Sequence, residues 1–175
     1  GFVASNLDHR PDLVVVGNVV RAVYEEAEAL LAGDLPYCSF PELLGHLFLK
    51  DAHNVVVAGT HGKTTTTSIA AWLLEAAGKS PGFLIGGIAK NFDRTARPGG
   101  GSHFVIEGDE YDTSFFDKGP KFLHYRPVTA ILTSVEFDHA DIYTDLDHVK
   151  QSFRKLVAIM PADGCLIVRW DDDGA

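Results

Sequence analysis

Cysteine is scarce in this chain of 175 residues, in which Cys38 and Cys165 are the only two. They lie far apart and match no metal-ligand spacing, which favours a reducing cytoplasm over a disulfide-stabilised secreted fold. Long apolar runs are missing as well: 46% of the residues are hydrophobic, but no run approaches the roughly 20 residues that span a bilayer. We therefore expect a cytoplasmic location, a sizeable hydrophobic core and no membrane partner.

Positive charge is the second deficiency, because 24 Asp and Glu residues outnumber 15 Lys and Arg residues and the formal net charge is −9. Contacts with nucleic-acid phosphates require a basic face, and none is apparent in the sequence, so we expect no nucleic-acid partner. A G-x-G-x-x-G dinucleotide fingerprint is also absent. Nothing in the sequence implies an obligate protein partner. Any anionic ligand of this acidic chain must be neutralised by local cations.

Apolar strand-like segments alternate with amphipathic helix-like segments along the chain. The predicted strands are residues 12–17, 35–39, 55–58, 82–88, 103–106, 129–133 and 165–170. The predicted helices are residues 22–31, 41–48, a segment from the glycine turn near residue 62 to Gly78, and 146–160 with Asp145 as N-cap. Residues 91–101, rich in glycine and arginine, are predicted to form a loop.

This alternation predicts an α/β fold with a mostly parallel sheet and helices on both of its faces. Ligands of such sheets bind beyond the carboxyl ends of the strands. We therefore expect the chemistry directly after Ala58, Ile106 and Leu132, where unusual polar residues follow the apolar segments.

The first of these places is a glycine turn between a strand and a helix. Backbone N–H groups of such a turn point at phosphate, the lysine adds a positive charge, and the next hydroxyl is suited to Mg²⁺. We predict binding of ATP or GTP, although Val57 stands where the general motif has glycine, and a turn without a ligand is the alternative. His61 is expected to shape the loop or contact substrate, not to act as a base. The predicted nucleotide-binding residues are Gly59, Thr60, His61, Gly62, Lys63, Thr64 and Thr65.

The second place, residues 107–112, holds four carboxylates in six residues. Mg²⁺ prefers carboxylate and water oxygens, and Glu107, nearest the strand, is the expected metal ligand. A solvated acidic turn is the alternative, and for Asp112 it competes equally with a functional role.

The third place, residues 136–141, contains His139 between Asp138 and Asp141. We expect His139 to bind a second Mg²⁺ or to orient a phosphate. A structural role is expected for the other histidines outside the glycine turn, which are His9, His46, His53, His103, His124 and His148. Two metal ions and a lysine around a γ-phosphate suit phosphoryl transfer, but these residues leave the acceptor open between water, a hydroxyl and a carboxylate.

The segments 59–66, 107–110 and 138–139 resemble the three successive site motifs of the Mur ligases, ATP-dependent amide-forming enzymes of bacterial cell-wall synthesis. The histidine of the first segment resembles the branch of the family that uses UDP-N-acetylmuramate. Segments 110–118, 124–127 and 136–141 are more similar to the murein peptide ligases than to the enzymes that add L-alanine. The murein peptide ligases join L-alanyl-γ-D-glutamyl-meso-diaminopimelate to UDP-N-acetylmuramate in peptidoglycan recycling.

This resemblance implies a three-domain enzyme of which the chain is a part. Residues 1–50 would be the C-terminal part of a Rossmann-like UDP-binding domain, and residues 51–175 most of a P-loop ATPase-like central domain, with the C-terminal domain absent. The implied cofactors are ATP and Mg²⁺, and the implied partners are UDP-N-acetylmuramate and the murein tripeptide. Carried over by motif position, Lys63, Glu107 and His139 are catalytic, and Thr64, Glu107 and His139 bind metal.

Three alternatives remain beside this interpretation. One is the UDP-N-acetylmuramate–L-alanine ligase of the same family. Another is an unrelated P-loop NTPase or kinase, which needs only the glycine turn and leaves Glu107 and His139 unexplained. The last is a nucleotide-binding module without turnover.

Overall fold

The computed structural model describes residues 1–137 and 143–169. Its strands are β1 (Val14–Val16), β2 (Tyr37–Ser39), β3 (His53–Ala58), β4 (Gly82–Ala89), β5 (Arg94–Arg97), β6 (His103–Gly108), β7 (Thr129–Leu132) and β8 (Cys165–Val168). Its α-helices are α1 (Glu25–Ala32), α2 (Phe40–Leu47), α3 (Lys63–Ala76) and α4 (Leu146–Ala158). Short 3₁₀ helices span Ala4–Leu7 and Lys121–His124.

The first 50 residues contain β1 and β2, which pair in parallel, together with α1 and α2. Helix α2 begins with a capping box, because the Ser39 hydroxyl accepts from the Glu42 N–H and the Glu42 carboxylate accepts from the Ser39 N–H. Pro41 presets the backbone of the first turn. The helix therefore starts directly at the end of β2.

The described part of residues 51–169 forms a six-stranded sheet in the order β5-β4-β6-β3-β7-β8. Each pair of neighbouring strands is parallel except β4 and β5. Strand β3 is interior, and its last residue, Ala58, lies opposite Gly108 of β6 and Leu132 of β7. Because these strands end at the same level, the residues that follow β3, β6 and β7 meet at one edge of the sheet.

Helices cover both faces of the sheet. Successive residues of β3 alternate between the faces: Val55 and Val57 pack with Ala71 of α3, whereas Val56 and Ala58 pack with α4 and α2. The contribution of α4 to this second layer is Val149, Phe153 and Leu156, and that of α2 is Leu44. The predicted α/β class, the mostly parallel sheet and the two helical layers are confirmed. Among the described residues, none of the helices has the length and apolar character needed to cross a membrane.

Strand β5 corrects the prediction that residues 91–101 form a loop. Its sequence has no alternation of apolar residues, because it is an exposed edge strand that pairs with β4 in the antiparallel sense. Arg97 fixes it: the guanidinium donates to both carboxylate oxygens of Glu75 in α3 and to the Pro81 carbonyl. Pairing with β4 and the long-range contacts of Arg97, and not local propensity, thus hold this strand.

Helix α4 begins where the sequence predicts, and the Asp145 carboxylate accepts a hydrogen bond from the His148 N–H at 2.8 Å. We expect Asp145→Ala to lower the free energy of unfolding by about 1 kcal/mol, because an orphan N–H of the first turn loses its acceptor. Asp147→Ala, in the same turn, removes a favourable charge without removing a cap and should cost about 0.3 kcal/mol. Urea titration of both variants measures the difference, and equal losses would contradict the capping role.

Candidate functional site

Two glycines give the turn after β3 its shape. Gly59 has a φ of +127° and Gly62, the N-cap of α3, a φ of +80°. A Cβ on Gly59 would collide with the Thr133 hydroxyl and would lie 2.9 Å from the backbone N and O of Ser134. Only glycine combines this backbone conformation with this close approach.

The turn is anchored to the residues that follow β7. The Thr60 N–H donates to the Ser134 carbonyl at 3.0 Å, and the His61 N–H donates to the Ser134 hydroxyl at 3.2 Å. Thr133 donates through its hydroxyl to the His61 carbonyl at 2.5 Å. Residues 60–65 thereby line a cavity of about 360 Å³ at the start of α3. The first N–H groups of a helix have no intrahelical acceptor, so this cavity suits an anion.

Lys63 lies against the turn and is largely buried, with 13% of its side chain exposed. Its Nζ donates to the Gly59 carbonyl at 2.7 Å and to Oε2 of Glu110 at 3.1 Å. The Glu110 side chain is fully buried, and its backbone carbonyl accepts from the Tyr143 hydroxyl. An ammonium has three donors, and among the described residues two of those on Lys63 have acceptors. The remaining donor is available to a phosphate.

Thr64 and Glu107 lie side by side, as the predicted metal site requires. The Thr64 hydroxyl donates to Oε2 of Glu107 at 3.1 Å, and the Gly86 N–H donates to Oε1 at 2.7 Å. A Cβ on Gly86 would lie 3.1 Å from Oε2, so β4 leaves room for this carboxylate by having glycine there.

This pair of oxygens fits Mg²⁺, which takes one or two protein carboxylates and completes its shell with water and phosphate oxygens. Within residues 1–137 and 143–169, no group of three or more His, Cys, Asp or Glu side chains is placed to hold a metal ion. The predicted ligand His139, with Asp138 and Asp141, lies outside the described residues. The second metal site therefore stays a prediction.

His61 contributes to the loop through its backbone, which both donates to Ser134 and accepts from Thr133. Its ring is exposed, and Nε2 lies 3.9 Å from a carboxylate oxygen of Glu136. The prediction that it shapes the loop or contacts substrate agrees with this position and stays a prediction.

The histidines expected to be structural include three with defined partners. His124 contacts the Asp117 carboxylate at 2.6 Å, and His53 contacts the Thr129 hydroxyl at 2.9 Å. The rings of His103 and His53 pack at a tilt of 35°, with centroids 5.2 Å apart. Burial, followed by the neighbouring charges of His53 and Lys79, lowers the pKa of His103 below its usual value. These contacts agree with structural roles.

A larger cleft of about 590 Å³ opens over the same strand ends. Lys63, Thr64 and Glu107 line one part of it, whereas Phe40 and Pro41 of α2 line another. Its remaining polar lining comes from Asn18 after β1, from residues after β6 and from the segment before β7: Asp109, Tyr111, Thr113, Lys121 and Tyr125. Asp112, in contrast, pairs at the surface with Lys118 at 2.9 Å, which favours the solvated alternative for that residue.

Two features of this site were missed by the sequence analysis. Glu110 is buried against Lys63, although a run of four carboxylates is typical of a solvated turn. Thr133 and Ser134 hold the glycine turn, and their signal was the pair of hydroxyl residues directly after the apolar strand β7.

The geometry of Gly59 predicts an unusually costly alanine substitution. Gly59→Ala should lower the free energy of unfolding by about 3 kcal/mol or more, because strained φ and overlap with Ser134 add together. Gly78→Ala is the matched control: its φ is also positive, at +70°, but no atom lies within 4 Å of an added Cβ. That control should cost about 1 kcal/mol. Both values follow from urea titration, and similar losses would show that the close approach carries no energy.

Known proteins resemble this chain in sequence. Residues 57–175 match the sequence pattern of the protein family described as the Mur ligase middle domain. The UDP-N-acetylmuramate–L-alanyl-γ-D-glutamyl-meso-2,6-diaminoheptandioate ligase of Escherichia coli strain K12 is 48% identical over 167 residues, or 95% of this chain and 36% of that protein. A UDP-N-acetylmuramate–L-alanine ligase of Arthrobacter sp. is 41% identical over 175 residues, or 100% of this chain and 36% of that protein. The chain thus spans about a third of the length of these relatives.

Known structures resemble this chain in fold as well. The crystal structure of the UDP-N-acetylmuramate:L-alanyl-γ-D-glutamyl-meso-diaminopimelate ligase from Neisseria meningitides superposes with a TM-score of 0.94 and 46% identity. That match covers 99% of this chain and 57% of the other. With the middle-domain match, which covers more than half of its residues, this chain belongs to the Mur ligase family.

Proposed function

We propose that the full-length protein carrying this chain joins UDP-N-acetylmuramate to L-alanyl-γ-D-glutamyl-meso-diaminopimelate in an ATP-dependent reaction. The observation that carries the proposal is the contact between Thr64 and Glu107 beside the buried Lys63, within one cleft at the strand ends. This arrangement supports binding of a magnesium nucleotide. The substrates are those in the names of the two similar ligases from E. coli and Neisseria.

The proposed reaction has two steps. The lactyl carboxylate attacks the γ-phosphorus of ATP, so that a carboxylate O–P bond forms and the bond to ADP breaks. The peptide amine then attacks the acyl carbon, phosphate leaves, and the amine loses a proton as the amide forms. Phosphoryl transfer of this kind depends on positioning and charge neutralisation more than on covalent chemistry by the protein.

Each predicted site residue has a defined role in this proposal. Residues 59–65 are proposed to bind the phosphates, with the donors supplied by backbone N–H groups at the start of α3, because the N–H groups of Thr60 and His61 already donate to Ser134. Lys63 neutralises charge on the β- and γ-phosphates. Thr64 and Glu107 would hold Mg²⁺, and His139 is proposed as ligand of a second ion. Mg²⁺ supplies Lewis-acid stabilisation of the phosphoryl oxygens when it is bound. His61 is proposed to shape the loop.

The proposed division of the chain follows the same reasoning. Residues 1–50 would be the C-terminal part of the UDP-binding domain, and residues 51–175 most of the central ATP-binding domain. A cytoplasmic location, in which both UDP-N-acetylmuramate and ATP are available, is part of the proposal, as is the absence of a nucleic-acid partner.

Dependence of phosphate release on both substrates tests the function. We expect the full-length protein to release phosphate from ATP only when UDP-N-acetylmuramate and the tripeptide are both present. Equal or better turnover with L-alanine in place of the tripeptide would favour the alternative suggested by the Arthrobacter relative. Phosphate release without either acceptor would instead favour an unrelated NTPase.

A pair of variants tests the site itself. Lys63→Ala should lower phosphate release by about 100-fold or more, because the transferred phosphoryl group loses its cation. His124→Ala should retain activity within about twofold, because its ring contacts Asp117 and does not line the cleft. Steady-state kinetics of the two full-length variants compare them, and an active Lys63→Ala protein would refute the assignment.

A further inference from the structure

We propose that Lys121 is a second anion-binding residue of the large cleft. It would hold the lactyl carboxylate of UDP-N-acetylmuramate beside the phosphate loop, which is the glycine turn of residues 59–65. The inference rests on the proposed function, because that function supplies a substrate with a reacting carboxylate. Lys121 lies outside the three segments from which the site was predicted, which are residues 59–65, 107–112 and 136–141.

Lys121 is a mostly buried cation in the wall of this cleft. Its Nζ lies 2.9 Å from Oδ2 of Asp109 and 4.2 Å from the ring centroid of Tyr111. Only 15% of the Lys121 side chain and 20% of the Asp109 side chain are exposed. Burying a lysine this far is costly unless its charge is paired, so the structure keeps this ammonium in place through two fixed contacts.

Among residues 1–137 and 143–169, these two contacts leave one donor of Lys121 without a partner. An ammonium has three N–H groups; one is directed to Asp109 and one faces the ring of Tyr111. Lys121 has no other hydrogen bond, ion pair or ring contact among the described residues. Because Lys121 also lines the cleft, its third donor is available to a ligand there.

Lys121 lies in the same cleft as the predicted phosphate-binding residues and is fixed by a residue close to them in the chain. Asp109, which fixes Lys121, follows Glu107 by two residues, and Glu107 contacts Thr64. Lys63, Thr64 and Glu107 line the same cleft as Lys121. A carboxylate that attacks the γ-phosphorus must approach to about 3–3.5 Å, and it needs a neighbouring cation to offset repulsion from the triphosphate. Lys121 is placed to supply that charge.

Tyr111, with its hydroxyl protonated, helps to fix the position of Lys121 through Asp109. Burial, then its hydrogen bond to Asp109, then the charges of Asp109, Glu110 and Glu107 raise the pKa of Tyr111 above its ordinary value. The hydroxyl therefore stays protonated and donates to Asp109 throughout the neutral range. Asp109 is thus held by two donors and in turn fixes the direction of the Lys121 ammonium.

Lys118 provides a matched control in the same segment. It also pairs with an aspartate at 2.9 Å, but 68% of its side chain and 46% of that of Asp112 are exposed. It lines a separate surface pocket that contains none of the residues of the phosphate loop. Neutralising Lys118 changes the net charge by the same amount without touching the cleft.

The test compares two nucleotide sugars that differ in the lactyl group, which carries the carboxylate. UDP-N-acetylmuramate carries the lactyl carboxylate, whereas UDP-N-acetylglucosamine has the same diphosphate and lacks it. In the full-length protein, Lys121→Gln should weaken binding of UDP-N-acetylmuramate about 10- to 100-fold in calorimetric titrations. Binding of UDP-N-acetylglucosamine and the KM for ATP should change by less than about twofold, and Lys118→Gln should change neither affinity.

Other results would overturn the inference. Equal weakening of both sugars would assign Lys121 to the diphosphate, and unchanged binding of UDP-N-acetylmuramate would remove it from the site. Because Lys121→Gln leaves Asp109 without its cation, the double variant Asp109→Asn/Lys121→Gln, neutral at both positions, must show the same selective loss. Wild-type protein that binds UDP-N-acetylmuramate but never forms the amide would refute the proposed function alone, since the binding comparison still decides the role of Lys121.

Discussion

The close packing of the glycine turn on the residues after β7 is the interaction on which the site depends. Gly59 approaches Ser134 so closely that no side chain fits between them, and Thr133 and Ser134 satisfy the polar groups of residues 60 and 61. Because β3 and β7 are neighbours in parallel, their ends are fixed relative to each other by the ladder itself. The position of the turn and the direction of the first turn of α3 are therefore set by contacts within the protein itself.

Charge pairing explains how a chain with a net charge of −9 can place two lysines in the wall of one cleft. Lys63 and Lys121 are both mostly buried, and each is neutralised by a buried or half-buried carboxylate. Pairing reduces the cost of removing each ammonium from water, but it uses only some of the donors. The acidic partners thus hold the two lysines in the wall of the cleft, and in the proposed function the remaining donors bind the anionic groups of the ligands.

The sequence predicted those features that depend on short-range patterns. The alternation of strands and helices and the Asp145 cap follow from periodicity and capping chemistry. The glycine turn and the contact between Glu107 and Thr64 follow from residues placed at parallel strand ends. Strand β5 was missed because pairing with β4 and the contacts of Arg97 hold it, and neither leaves a local pattern. The burial of Glu110 was missed for the same reason: composition marks an acidic turn as solvated, and only the fold turns one of its carboxylates onto Lys63.

The first 50 residues take part in this site and do not merely precede it. Helix α2 packs on the 3₁₀ helix that carries Lys121, and a Cβ on Gly45 would collide with the backbone carbonyl of His124, so the two helices meet without a side chain between them. The capping box at Ser39 fixes where α2 starts and therefore where Phe40 enters the cleft. The position of Lys121 is thus determined from two directions, by Asp109 at the end of β6 and by α2. A shift of α2 would move the part of the cleft lined by Phe40 and Lys121, while the glycine turn, which is anchored to the residues after β7, would stay in place.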